Sequence, residues 1–126
     1  MENKSFFVTG IDTDIGKTVV SSILVEALNA DYWKPIQSGD LHHTDTDKVK
    51  ELVSGNTVFH PEAYRLNHAL SPHVSAKLDN ISISLASFQL PKTNNNLIVE
   101  GAGGLLVPIN ENGDYLSDVI LTLGME

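Results

Sequence analysis

Apolar and polar positions along the chain fall into short blocks whose period changes from two to nearly four and back. Ser5–Thr9 is aromatic and β-branched and is stopped by Gly10, the pattern of a short buried strand. From Lys17 to about Asn29 the period becomes helical, with Val20, Ile23, Leu24, Ala27 and Leu28 recurring on one stripe. Tyr32–Ile36 predicts a second strand, which Pro35 pushes toward an edge or a strand end. Gln37–Thr44 predicts a loop. Asp45–Val53 predicts a short helix capped by Thr44 or Asp45, with Val49 and Leu52 inward. Residues 54–80 show no clear period and carry Pro61 and Pro72, so they are expected to be irregular. Ile81–Leu90 is ambiguous and is assigned as helix from its Leu85–Phe88 spacing. After a polar turn at Pro91–Asn96, Leu97–Val99 predicts a strand ending at Glu100, and Gly101–Gly104 a flexible loop. Tyr115–Leu123 predicts a last helix, with Leu116, Val119, Ile120 and Leu123 inward.

Strand and helix alternate three times, which is the order of a parallel α/β sheet with helices on both faces. Such sheets present ligands at the carboxyl ends of their strands. Three suggestive segments fall there: the loop after the first strand, Lys34–Gly39 after the second, and Glu100–Gly104 after the third. Three strands make a small sheet, and the chain stops where another would be expected. The reading is therefore a single domain over residues 1–126, a doubly wound, mostly parallel sheet of P-loop NTPase type, incomplete at its C-terminus.

The first of these segments carries the clearest chemistry. Gly10 to Thr18 places Gly16-Lys17-Thr18 between a strand and a helix, as a phosphate-binding loop does. Backbone N–H groups wrap an anion, the helix N-terminus adds its positive end, Lys17 reaches the outer phosphates and Thr18 supplies a hydroxyl for Mg²⁺. Gly10 stands one residue further from Gly16 than the usual spacing. Glu100, at the tip of an apolar strand, is a second candidate Mg²⁺ ligand, and the glycines after it let backbone approach a phosphate or substrate. Asp45 and Asp47 are the candidate loop carboxylates, each also readable as an acid in the first turn of a helix. Lys34 sits on an otherwise apolar strand, so it either snorkels to the surface or faces an anion. Ser71-Pro72-His73 lacks the glycine-flanked elbow of a hydrolase nucleophile and reads as a rigid turn against substrate.

Composition removes several classes. The chain has 8 Lys+Arg against 16 Asp+Glu, a net charge of −8, which disfavours nucleic acid or an anionic membrane as partner. It has no cysteine, so disulfides, thiolate metal sites and cysteine nucleophiles are excluded within it. No apolar run approaches the roughly 18 residues of a membrane span, and the N-terminus has no signal-peptide pattern. The expected compartment is the cytoplasm.

Taken in order, GIDTDIGKT, WKPIQSG, SPH and VEGAGGLLVPI closely resemble the dethiobiotin synthase family, from Phe7 to about Ile120. In that family the long glycine spacing is normal. The resemblance implies an ATP- and Mg²⁺-dependent ligase, acting as a homodimer on CO₂ and 7,8-diaminononanoate and closing the cyclic urea of dethiobiotin through a phosphorylated carbamate. It implies that Asp14, Ile15, Gly16, Lys17, Thr18 and Val19 form the ATP phosphate loop, and that Glu100, Gly101, Ala102 and Gly103 form a second nucleotide-contacting loop. Thr18, Asp47 and Glu100 become the Mg²⁺ ligands, with Asp47 preferred to Asp45 by its register against Val49 and Leu52. Lys34 and Lys17 become the catalytic lysines and Ser38 a substrate contact. The chain departs from the family in its short Asn29-Ala30-Asp31 connection and in lacking the segment expected to hold adenine. Two other readings share parts of the pattern. One is an amidotransferase of the cobyrinic or cobyric acid synthase type, which would need a glutaminase domain with a cysteine. The other is a partition- or division-type nucleotide switch, which would carry an extra lysine early in the loop, where this chain has Ile11-Asp12-Thr13-Asp14.

Overall fold

Leu97, Ile98, Val99 and Glu100 are all buried, and from this strand the rest of the architecture can be laid out. In the computed structural model, which describes residues 2–11 and 16–125, it is β6 (Leu97–Glu100). It runs between β1 (Ser5–Val8) and β2 (Asp31–Trp33), and β4 (Phe59–His60) lies outside β2. All neighbours in this order, β1-β6-β2-β4, are parallel, with Phe6 opposite Ile98 and Tyr32 opposite Ile98 on the other side. A central parallel strand is covered on both faces, which is why it reads as a continuous apolar run.

Side chains alternate across the sheet. Leu97 and Val99, with Trp33, pack into one core beneath α4 (Leu116–Thr122) and the 83–88 segment. Ile98 and Tyr32 pack into the other, beneath α1 (Lys17–Leu28) and α2 (Asp45–Leu52), with Val25 and Val49. The same alternation sends Glu100 and Lys34 to the α1/α2 side. Both helices begin at the carboxyl edge of the sheet, so their first turns meet these two side chains.

Several expectations are corrected. The first strand is an edge rather than a buried strand; Phe6 is 43% exposed. The expected second strand is split. Lys34 and Pro35 separate β2 from β3 (Ile36–Ser38), which pairs in parallel with β5 (Tyr64–Leu66) in a separate two-stranded sheet. Pro35 has no N–H for a ladder, but its carbonyl accepts from Tyr64 N–H at 3.0 Å, which starts the new sheet. Residues 54–80 hold β4, β5 and α3 (Pro72–Leu78), where irregular structure was expected. Ile81–Leu90 is not a helix; it contains a single 3₁₀ turn at Leu85–Ser87, and Ile83 and Phe88 are the residues that enter the core. In α1 the expected apolar stripe is only partly inward: Leu24 and Leu28 pack against the core, but Val20, Ile23 and Ala27 do not. Ser21, Ser22 and Val25 are buried while Val20 and Ile23 are exposed, because small side chains are what let the helix lie close on β6. In α2, Val49 is buried as expected but Leu52 is 57% exposed. No helix among the described residues is long and apolar enough to cross a membrane.

Candidate functional site

Lys34 is only 3% exposed, so it does not snorkel. Its ammonium has three acceptors at hydrogen-bond distance: Asp45 Oδ2 at 2.5 Å, Glu100 Oε2 at 3.0 Å and the Gly101 carbonyl at 3.2 Å. Thr18 Oγ1 donates to Glu100 Oε2 at 3.1 Å, and Tyr32 Oη donates to Glu100 Oε1 at 3.1 Å. Five segments of chain therefore meet here: the starts of α1 and α2, both strand ends, and the loop after β6.

The electrostatics follow from burial and pairing. Burial alone would push the Lys34 ammonium down, but the charges of Glu100 and Asp45 outweigh it and hold its pKa above the ordinary lysine value. For Asp45, burial acts to raise the pKa, and Lys34, by charge and hydrogen bond, brings it below the ordinary aspartate value. Lys34 is thus held as an ammonium and Asp45 as a carboxylate near neutral pH.

It opens onto a cavity of about 540 Å³ whose walls include Gly16, Lys17, Val19, Ala102 and Gly103. Gly16 stands at the N-cap of α1 with φ +88°, a conformation that favours glycine. Gly101 lies close under β1. Its N–H donates to the Val8 carbonyl at 2.9 Å, and a Cβ there would sit 2.9 Å from the Phe7 ring. The loop after β6 is held further by Leu105 N–H to the Gly10 carbonyl at 3.0 Å. On the opposite wall, Ser38 Oγ reaches the carbonyls of His68 and Leu70 at 3.1 and 2.7 Å. Ser71 and Pro72 also line this wall, and Ser71 Oγ lies 3.2 Å from His73 Nδ1.

Of the residues singled out from sequence, Gly16, Lys17, Thr18, Val19, Lys34, Ser38, Glu100, Ala102 and Gly103 border this one cavity, and Gly101 contributes its carbonyl to Lys34. Asp14 and Ile15 lie outside the described residues. Asp47 is not brought in. It closes a capping box at the start of α2: Thr44 N–H donates to Asp47 Oδ2 at 2.9 Å and Asp47 N–H to Thr44 Oγ1 at 3.1 Å. The Thr44 N–H bond, then the Thr44 hydroxyl, lower its pKa. Asp45, two residues earlier, points the other way onto Lys34. Thr44-x-x-Asp47 is itself a cap signature, and that signal could have assigned Asp47 to the helix end and Asp45 to the site. Tyr32 is the functional candidate sequence reasoning passed over.

Thr18, Asp45 and Glu100 offer only oxygen, one hydroxyl and two carboxylates, the donor type a hard cation such as Mg²⁺ takes. Among the described residues no three His, Asp or Glu side chains gather into a metal cluster. Such a site relies on phosphate oxygens and water to complete its shell.

Residues 4–126 match the family described as an AAA domain. The chain belongs to that family. Among curated proteins it is similar to the ATP-dependent dethiobiotin synthetase BioD of Christiangramia forsetii, 51% identical over 118 residues, covering 93% of this chain and 56% of the relative. The corresponding protein of Cytophaga hutchinsonii is 51% identical over 125 residues, with 98% and 60% covered. That of Chlamydia pneumoniae is 54% identical over 113 residues, with 87% and 51% covered. The chain therefore spans about half the length of the curated relatives it matches.

Proposed function

We propose that the protein carrying this AAA-family domain is an ATP- and Mg²⁺-dependent ligase that makes dethiobiotin from 7,8-diaminononanoate and CO₂. The observation that supports this best is the meeting of Lys34, Thr18, Asp45 and Glu100 beside the Gly16–Lys17 turn, in a chain about half identical to dethiobiotin synthetases.

One amine adds to CO₂ and loses a proton, giving a carbamate. The carbamate is an anion and a poor electrophile, so its oxygen must become a leaving group. Transfer of the γ-phosphoryl of ATP to that oxygen releases ADP and gives a mixed carbamic–phosphoric anhydride. The second amine attacks the carbonyl carbon, phosphate leaves, and loss of a proton completes the cyclic urea. The chain's part is positioning and charge neutralisation. Lys17 at the start of α1 faces the phosphates. The Lys34 ammonium faces both the carbamate and the moving phosphoryl, where charge counts most in the transition state. Thr18, Asp45 and Glu100 would hold Mg²⁺, which when bound offsets phosphate charge. Asp45 replaces Asp47 in this set because Asp47 is committed to capping α2. Gly101–Gly103 would bring backbone against the nucleotide, and Ser38 and the Ser71–Pro72 turn would border the diamine. A cytoplasmic homodimer acting on small molecules alone accords with this chemistry.

The test is product formation by the natural protein with ATP, Mg²⁺, bicarbonate and the diamine. ADP, phosphate and dethiobiotin should appear in equal amounts, and ADP release should require the diamine. ATP hydrolysis indifferent to the diamine would contradict the proposal. Lys17→Ala should abolish tight nucleotide binding in a calorimetric titration; unchanged binding would remove the phosphate-loop assignment.

A further inference from the structure

The two oxygens of Glu100 have different partners. Oε2 meets Thr18 and Lys34 on the cavity side. Oε1 accepts from the Tyr32 hydroxyl at 3.1 Å, away from the cavity. Tyr32 is fully buried on β2 directly beside β6, with its ring tilted 58° against Phe59 at a centroid distance of 6.0 Å. The register places Tyr32 opposite Ile98, and alternation puts it on the face from which Glu100 emerges.

The terminal torsion of a glutamate is broad. Held on one oxygen alone, the carboxylate of Glu100 could turn and offer either atom to the cavity. A donor fixed behind it removes that freedom. We propose that Tyr32 is a positioning residue for Glu100, its buried hydroxyl holding Oε1 so that Oε2 is committed to Thr18, Lys34 and the cation. This rests on reading the cluster as a Mg²⁺–nucleotide site. Partners behind a ligand commonly change metal affinity about 10- to 100-fold when lost.

The experiment uses the natural protein, a non-hydrolysable ATP analogue, and Mn²⁺ as probe, followed by electron paramagnetic resonance. Tyr32→Phe keeps the ring against Phe59 and should raise the Mn²⁺ Kd about tenfold, with analogue affinity in the absence of metal unchanged. Because Tyr32 acts through Glu100, adding Tyr32→Phe to Glu100→Gln should cost little further affinity. In the unmodified protein, the Tyr32 hydroxyl proton should shift in its NMR spectrum when Mg²⁺ and the analogue are added, a readout that needs no variant to fold. An unchanged Mn²⁺ Kd in folded Tyr32→Phe, a full second loss on top of Glu100→Gln, or a hydroxyl proton blind to Mg²⁺ would each overturn the proposal. A wild-type protein that takes up no Mn²⁺ with the analogue would overturn the site reading, and this inference with it.

Discussion

The strand pair β2 and β6 carries a buried carboxylate cluster at each end, and the two are built differently. At the amino end Asp31, 2% exposed, accepts from Thr93 Oγ1 at 2.6 Å and Asn95 Nδ2 at 3.0 Å, and lies 2.9 Å from His60 Nε2. Burial would raise its pKa, but these hydrogen bonds bring it below the ordinary value. Three donors close around one carboxylate and tie the β2 start to β4 and to the turn before β6. At the carboxyl end two carboxylates share the Lys34 ammonium beside a cavity, Glu100 also accepts from the Thr18 and Tyr32 hydroxyls, and Lys48 lies 3.6 Å from Asp45. The first arrangement is saturated and holds the sheet together. The second places two negative charges where further positive charge and phosphate oxygens can join. Each of the buried acids Asp31 and Glu100 has three partners, and what separates them is that Glu100 borders a cavity.

The largest way to break the contrast is at Lys34. Lys34→Gln should lower kcat about a hundredfold or more, the scale of losing one electrostatic stabiliser. It should also cost about 3 kcal/mol of stability, because the buried Glu100 carboxylate loses its counter-charge, while half-buried Asp45 keeps Lys48 at 3.6 Å. Had Lys34 snorkelled, as one reading of its strand position allowed, stability would hardly change. A coupled turnover assay and chemical denaturation of the same variant check both parts.

Asp31→Asn should do the reverse, costing about 1–3 kcal/mol of stability while leaving turnover near wild type. The sign with pH follows from the lowered folded-state pKa. The contribution is present above the unfolded aspartate value, about 3.9, and disappears as pH falls through the folded value. The difference in unfolding free energy between wild type and Asp31→Asn should therefore shrink on acidification below about pH 4. A difference that grew on acidification would contradict the network.

The smallest effect is expected at Asp47. Asp47→Asn weakens one side of a capping box, so it should cost about 1 kcal/mol or less with no change in the Mg²⁺ requirement of turnover. A raised Mg²⁺ requirement would return Asp47 to the site.

What could be read beforehand followed from local rules. The run Leu97–Glu100 between polar turns, and Gly16-Lys17-Thr18 ahead of a helix, revealed the central strand, the first helix and most of the cavity wall. What failed depended on contacts distant in sequence. β4 has two residues and β5 three, too short for any period, and each exists because a parallel partner waits across the fold. Ile81–Leu90 has helical spacing but is drawn out to deliver Ile83 and Phe88 into the core. In α1, close packing on β6 selected the serines, rotating the buried face so that Leu24 and Leu28 stay inward while Val20 and Ile23 turn out. Asp45 and Asp47 were separated by cap geometry, which a three-residue spacing encodes but hydrophobic register does not. Tyr32 was unreadable as a partner of Glu100 because the two lie 68 residues apart.

The central claim is that the carboxyl-end cluster, and not the amino-end one, is a cation–nucleotide site. Its most direct test is the Mn²⁺ dissociation constant, in the presence of a non-hydrolysable ATP analogue, of wild type, Asp45→Asn and Asp31→Asn. Asp45→Asn should bind Mn²⁺ at least about tenfold more weakly, as expected for a lost charged ligand, while Asp31→Asn should match wild type. Equal affinity in wild type and Asp45→Asn, or a loss confined to Asp31→Asn, would contradict it.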